Sequence, residues 1–299
     1  MRLLVLGSGA GGGLPQWNAP NENGRAAFGR DPLVPFRSQC SLAVSLDGEA
    51  WAILNAAPDL RQQIIANPQL HPRLPPRSTP IRAVLLTGAE IDQVTGLLCL
   101  RERQAFTVYG TGPTLAALAM NPIFEALSEV VTRTAMTPDA PFEPLPGLKA
   151  TAIDLPGKAP LYLERARPDP TQGEPGDCVG FVLESAGKRA VFAPGCARMT
   201  QALASACEGA DAVFFDGTLY TDDEMIRAGE GTKTGRRMGH MPMTGPGGAV
   251  EAFRNVRAGR KFFIHINNTN PALRYDSAER AALAAEGWAI AEDGMEISL

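Results

Sequence analysis

Short apolar runs closed by Gly, Pro, Asn or Asp recur along the chain, and side chains in such runs have the length and flanks of β-strands. They predict strands at Leu3–Leu6, Ser41–Ser45, Ala52–Leu54, Ala83–Leu86, Thr107–Tyr109, Lys149–Ile153, Gly180–Leu183, Ala190–Ala193, Ala212–Phe215, Lys261–Ile266 and Met295–Ser298. Helical periodicity predicts helices at Asp59–Asn67, Thr114–Ser128, Thr200–Gly209, Pro246–Val256 and Ser277–Gly287, the last opened by an N-cap serine and stopped by a glycine. Two blocks of strands, each followed by helices and joined by no Ser/Gly-rich linker, predict one layered α/β domain over residues 1–299, a duplicated sandwich flanked by helices. Arg165–Asp177, with three prolines and two glycines, is expected to be a mobile loop able to cover a site.

A hydrophobic content of 44% over 299 residues is ample for a continuous core. A net charge of -4 without a dense Lys/Arg cluster argues against nucleic-acid binding and for a small-molecule or peptide partner. Five scattered cysteines with no C-x-x-C pair point to reduced thiols rather than a disulfide framework or zinc ribbon. The N-terminal apolar run is too short for a secretory core, and no window nears a membrane span of about 18 apolar residues. The expectation is a soluble cytoplasmic protein with no membrane partner.

Gly7-Ser-Gly-Ala-Gly-Gly12 satisfies G-x-G-x-x-G after a strand, but two prolines follow where a dinucleotide fold needs a helix. The glycines are better suited to close backbone approach to another element or a ligand. In LLTGAEIDQVTGLL, Glu90 and Asp92 sit two residues apart after a strand. They are hard oxygen ligands for a metal, or else Asp92 caps a helix near Val94 and Glu90 is solvated. Asp216 follows the strand run Phe214-Phe215, while His240 and His265 are each either a nitrogen ligand or a buried structural histidine. The loop Gly229–His240 carries Lys233, Arg236 and Arg237, able to hold carboxylates or simply exposed.

The blocks GSGAGGGLPQWN, LNAAPDLRQQI, EIDQVTGLLCLRE, DGTLYTDDEM, GTKTGRRMGHMPMTGPGG and IHINNTNPAL resemble the coenzyme PQQ synthesis protein B family of the metallo-β-lactamase-fold superfamily, over essentially Arg2 to Leu299. The resemblance implies a four-layered αββα sandwich. On the superfamily loop T-H-x-H-x-D-H-x-x-G-L this chain reads Thr87-Gly-Ala-Glu-Ile-Asp-Gln-Val-Thr-Gly-Leu97, so Asp92 alone stands among the four ligand positions. No histidine occupies the Pro156-Gly157-Lys158 turn, and Ala193-Pro-Gly195 stands where such folds often bring an aspartate. A dinuclear zinc hydrolase is therefore not expected. Many family members have a histidine at the position of Gln93, and several a cysteine cluster after P-Q-W-N; Trp17–Gly24 has none, so no N-terminal structural zinc is expected.

The remaining metal candidates are Glu90, Asp92, Asp216, His240 and His265, a set that suits the two-histidine, one-carboxylate pattern of non-haem Fe(II). The family resemblance implies an Fe(II)- and O2-dependent hydroxylase acting on the tyrosine ring of a Glu–Tyr-derived PQQ precursor. Asp92, His240 and His265 would be catalytic, and Lys233, Arg236, Arg237, Asn267 and Asn268 would hold the substrate. The alternative it implies is a non-enzymatic carrier, involved in transport of PQQ or its precursor to the periplasm. Apolar Leu97–Leu100 permits a homodimer.

Overall fold

The computed structural model describes residues 1–164 and 173–299. Its first six strands are β1 (Arg2–Gly7), β2 (Ser41–Ser45), β3 (Trp51–Leu54), β4 (Ile81–Leu85), β5 (Phe106–Gly110) and β6 (Val131–Ala135). The rest are β7 (Pro141–Leu145), β8 (Leu148–Asp154), β9 (Val179–Ser185), β10 (Lys188–Ala193), β11 (Ala212–Asp216), β12 (Arg260–Ile264), β13 (Trp288–Ile290) and β14 (Glu296–Ser298). They form two seven-stranded sheets, ordered β14-β1-β2-β3-β4-β5-β6 and β13-β12-β11-β10-β9-β8-β7. Each is antiparallel at one end and parallel at the other, the parallel part running from β3 to β6 in one sheet and from β10 to β13 in its counterpart.

Strand alternation explains why there are four layers. Leu3 and Val5 face the core between the sheets, with Phe181, Phe192 and Phe214, while Leu4 and Leu6 face the outer side with Trp51 and Ile53. In the second sheet Phe262 points inward, and Phe215, Phe263 and Trp288 point outward onto Leu203, Phe253 and Leu283. Each sheet thus buries both faces, one on its twin and one under helices. The fold is the αββα sandwich expected of the metallo-β-lactamase class.

The helices are α1 (Glu22–Phe28), α2 (Leu60–Ala66), α3 (Ile91–Val94), α4 (Gly112–Ala119), α5 (Gln201–Cys207), α6 (Glu224–Arg227), α7 (Ala249–Ala252) and α8 (Ala278–Ala285). Thr200 and Ser277 cap α5 and α8 by accepting from Leu203 N and Arg280 N. The helix expected over Thr114–Ser128 stops at Ala119 and resumes as a 3-10 turn from Pro122, because proline cannot donate a backbone bond. The helix expected over Pro246–Val256 shrinks to α7, since Gly245 and Gly247 adopt positive φ just before it. Of the Arg165–Asp177 loop, residues 165–172 lie outside the described residues. Gly176 is held, donating N–H to Asp154 Oδ1 at 2.7 Å and accepting from Thr111 Oγ1 at 2.5 Å. Among the described residues, no helix is long and apolar enough to cross a membrane.

Candidate metal centre

Parallel strands deliver their C-terminal ends to one rim, which is where α/β folds place ligands. Asp216 ends β11 fully buried, and its carboxylate is saturated. Oδ1 accepts from Thr218 N at 3.0 Å and Thr218 Oγ1 at 2.7 Å; Oδ2 accepts from Cys196 N at 2.8 Å and His240 Nδ1 at 2.8 Å. His265 follows β12 in the left-handed region, φ 63°, a strained conformation for a side chain of this size. Its neighbour Ile266 is held by Ser8 and Ala10, with Ile266 N donating to Ser8 O at 2.9 Å and Ala10 N to Ile266 O at 2.8 Å. The glycine-rich turn therefore lies along the end of β12 instead of opening a helix, which begins only at Glu22. Gly11 faces Asp92, where an added Cβ would stand 3.7 Å from Oδ2.

The Thr218 hydroxyl ties the centre together. It lies 3.0 Å from His240 Nδ1 and 2.9 Å from His265 Nδ1, and the two rings stack with centroids 5.2 Å apart. Because the hydroxyl donates its one proton to Asp216, it accepts from His265 Nδ1. His265 Nε2 then faces Asp92 Oδ2 at 3.1 Å. Burial pushes the His265 pKa down, but its bond to Asp92 and the charges of Asp92 and Asp216 outweigh burial, so the net shift is upward. Burial likewise favours neutral Asp92 and Asp216, yet the histidines hold both carboxyls below the usual range. Without metal, His265 thus bridges the Thr218 hydroxyl and the Asp92 carboxylate, with its pKa held above the usual imidazole value. Donor atoms of Asp216, His240 and His265 all lie within 4.8 Å of one another, a spacing a single cation can bridge.

Other expected residues are placed differently. Glu90 stands away from this cluster: its Oε1 pairs with Lys158 Nζ at 3.0 Å, and its Oε2 accepts from Leu161 N at 3.2 Å. It also replaces Asp92 as the N-cap residue of α3, leaving Asp92 inside the helix and turned to His265. Gln93 Oε1 accepts from Glu90 N at 3.1 Å, so the helix cap uses it. Gly88 has no room for a larger residue, since a Cβ there would fall 2.7 Å from Asp177 O. The Arg236 guanidinium binds the carbonyls of Pro246 and Gly247, at 3.1 and 2.8 Å, and serves the loop. Asn268 is buried and engaged by Gln16 and Asn21; Asn267 donates to Thr269 Oγ1 at 2.6 Å. Lys233 and Arg237 are exposed on the loop before His240. Burial pushes the thiols of Cys178 and Cys196 up, as for inert packed cysteines.

Thr218 and Lys158 were not marked as site residues by sequence. Thr218 could have been found from its place two residues after Asp216, where a hydroxyl reaches back to the preceding carboxylate.

The beta-lactamase superfamily domain matches residues 50–266. Coenzyme PQQ synthesis protein B of Methylorubrum populi is 50% identical over 300 residues, covering 100% of both chains. That of Gluconacetobacter diazotrophicus is 52% identical over 304 residues, 99% of each. The crystal structure of Zn(2+)-bound PqqB from Methylobacterium extorquens matches with TM-score 0.96 and 49% identity over 100% of both chains. A diphosphatase from the PhnP family, at TM-score 0.71 and 19% identity over 100% of this chain and 97% of its own, shares the fold alone.

Proposed function

The chain belongs to the coenzyme PQQ synthesis protein B family of the beta-lactamase superfamily, and on that premise we propose that it hydroxylates the tyrosine ring of a Glu–Tyr-derived PQQ precursor, using Fe(II) and O2. The observation that carries the reading is the convergence of His240 and His265, ring centroids 5.2 Å apart, with two carboxylates: Asp216 Oδ2 at 2.8 Å from His240 Nδ1 and Asp92 Oδ2 at 3.1 Å from His265 Nε2. The residues fit a divalent cation: two imidazoles, each against its own carboxylate, gather the nitrogen and oxygen donors such an ion takes.

His240 and His265 supply nitrogen donors, and Asp92 supplies carboxylate oxygen. Asp216 is better suited to orienting than to ligating, because releasing an oxygen would break one of the four bonds it accepts, whereas its grip on His240 Nδ1 leaves Nε2 as the ligating atom. Thr218 does the same for His265. The Nε2 proton that His265 holds against Asp92 must leave before that nitrogen ligates, so loading releases a proton. Iron, when bound, supplies the activation of O2 that no side chain can. Lys158 pairs with Glu90 two residues from Asp92, and Lys233 and Arg237 precede His240 on its loop, so these cations are the candidates to hold an acidic substrate.

A carrier of PQQ or its precursor is the second reading, supported by the loss of superfamily ligands at Gly88 and by Gln93 being used in the helix cap. Separate His240→Ala and His265→Ala variants discriminate the two. Each is expected to lose bound iron and product while keeping a cooperative melt. Normal turnover in either would remove that histidine from the mechanism, and unchanged PQQ binding with no turnover in the parent protein would favour the carrier.

A further inference from the structure

Beside the metal centre sits a charge cluster that metal binding leaves unused. Lys158 Nζ lies 3.0 Å from Glu90 Oε1 and 2.9 Å from Glu164 Oε1, with the Lys158 and Glu164 side chains 18% and 16% exposed. Its backbone N and Cγ pack on Gly239, where an added Cβ would meet both at 3.5 Å. Gly239 immediately precedes His240, and Glu90 stands two residues before Asp92, so Lys158 joins the two halves of the centre at its rim. Lys233 and Arg237 add their charge from the loop before His240, and both act on Glu164. Their side chains form no direct ion pair among the described residues. Lys158, Lys233 and Arg237 thus bring three cations to the neighbourhood of Glu90 and Glu164.

The two carboxylates are not equivalent. Glu90 is fixed by its helix and by Leu161 N, whereas among the described residues the Glu164 side chain hydrogen-bonds Lys158 and no backbone group. The strap that carries Glu164 is tied to the turn before α3, with Tyr162 Oη donating to Ala89 O at 2.8 Å. Ile91, Leu161 and Tyr162 are exposed at this rim by 55%, 59% and 42%, a surface suited to a planar ring next to the cations.

We propose that Lys158, Lys233 and Arg237 form a carboxylate-binding mouth to the metal centre, that Glu164 fills it in the resting protein, and that an aromatic polycarboxylate binds by displacing Glu164. The ligand class rests on the PQQ-biosynthesis reading; the cluster itself does not. A carboxylate held among several cations without a fixed backbone role is a resident substitute for the group the cations would bind, and an incoming ligand exchanges one set of charge-assisted bonds for another. Glu164 would then lower affinity for acidic ligands in general and reject neutral ones, which cannot replace its charge.

The test is equilibrium titration of the full chain with PQQ, an acidic quinone, metal-loaded under anaerobic conditions and again after chelation, so that binding is read apart from turnover. Glu164→Gln is expected to tighten PQQ binding about three- to tenfold, because a competing ion pair is gone. Lys158→Met is expected to weaken it about tenfold or more, and the Lys233→Ala/Arg237→Ala double variant to weaken it and flatten its salt dependence. Lys158→Arg controls for loss of the strap, since it keeps the charge and should retain most of the affinity. Unchanged or weaker binding in Glu164→Gln would overturn the displacement, leaving Glu164 a strap anchor. Equal losses in Lys158→Arg and Lys158→Met would overturn the role of charge, and no PQQ binding by either the parent or Glu164→Gln would overturn the ligand class. Loss of turnover with these binding shifts intact would count against the hydroxylase alone.

Discussion

Replacing Thr218 by valine removes one hydroxyl and almost no volume, and the structure assigns that hydroxyl three tasks. It donates to Asp216 Oδ1 at 2.7 Å and stands 3.0 and 2.9 Å from the Nδ1 atoms of His240 and His265. Asp216 keeps its bonds from Thr218 N and Cys196 N, and His240 keeps Asp216, so both remain partnered. His265 Nδ1 does not, and a buried donor left unsatisfied costs about 1–3 kcal/mol. The same loss frees the His265 ring to turn away from the metal position. Removing such an orienting partner typically lowers metal affinity about 10- to 100-fold. Chelator-competition titration with Fe(II) under anaerobic conditions reads the affinity, and urea unfolding of the metal-free protein reads the stability. Thr218→Ser should behave like the parent protein in both. If Thr218→Val binds metal within about twofold of the parent, the hydroxyl does not orient the ligands and the reasoning fails.

Glu224 offers a pH-dependent test away from the metal centre. Burial pushes its carboxyl up to about 7, despite bonds from Thr269 Oγ1 and Tyr220 N. With a folded pKa above the ordinary glutamate value of 4.5, the folded state holds an extra proton between the two, so this group favours folding at low pH and that advantage is lost as pH rises through about 7. The full difference is roughly 3 kcal/mol. Glu224→Gln should remove that decline, read as the difference in unfolding free energy between parent and variant at pH 5 and pH 8.5; parallel curves would disprove the assignment. Gly7→Ala tests the close approach of the glycine-rich turn, since a Cβ would fall 2.0 Å from Gln39 O and 2.4 Å from Gln63 Nε2. A loss of about 3 kcal/mol is expected by chemical denaturation, and an unaffected midpoint would show that the turn has slack.

Short continuous apolar runs were legible because a strand buried on both faces is apolar at every position: Leu3 and Val5 fill one buried face, Leu4 and Leu6 the other. The strands β6, β7 and β13 were not, since β6 and β7 are half-polar edge segments and β13 spans three residues. At the site, Asp216, His240 and His265 could be read from their positions at strand ends and loops, because few residue types bind metal. Which carboxylate joins them depends on a helix cap. Moving the start of α3 by two residues exchanges the surroundings of Glu90 and Asp92, and sequence fixes helix ends less firmly than helix existence. Lys158 escaped notice because, although Glu164 lies six positions on, the partners that tie it to the centre, Glu90 and Gly239, lie 68 and 81 positions away along the chain. No local pattern records such a pairing.

The central claim is that the Asp92, His240 and His265 cluster performs metal-dependent oxygen chemistry on a tyrosine ring. Its most direct test is anaerobic reconstitution of the full chain with Fe(II), followed by addition of O2 and a Glu–Tyr peptide, with O2 uptake and product mass recorded together. The account predicts gain of one oxygen on the tyrosine, dependent on iron and abolished by His265→Ala. Failure to retain iron, or an unmodified peptide while PQQ still binds, would contradict it.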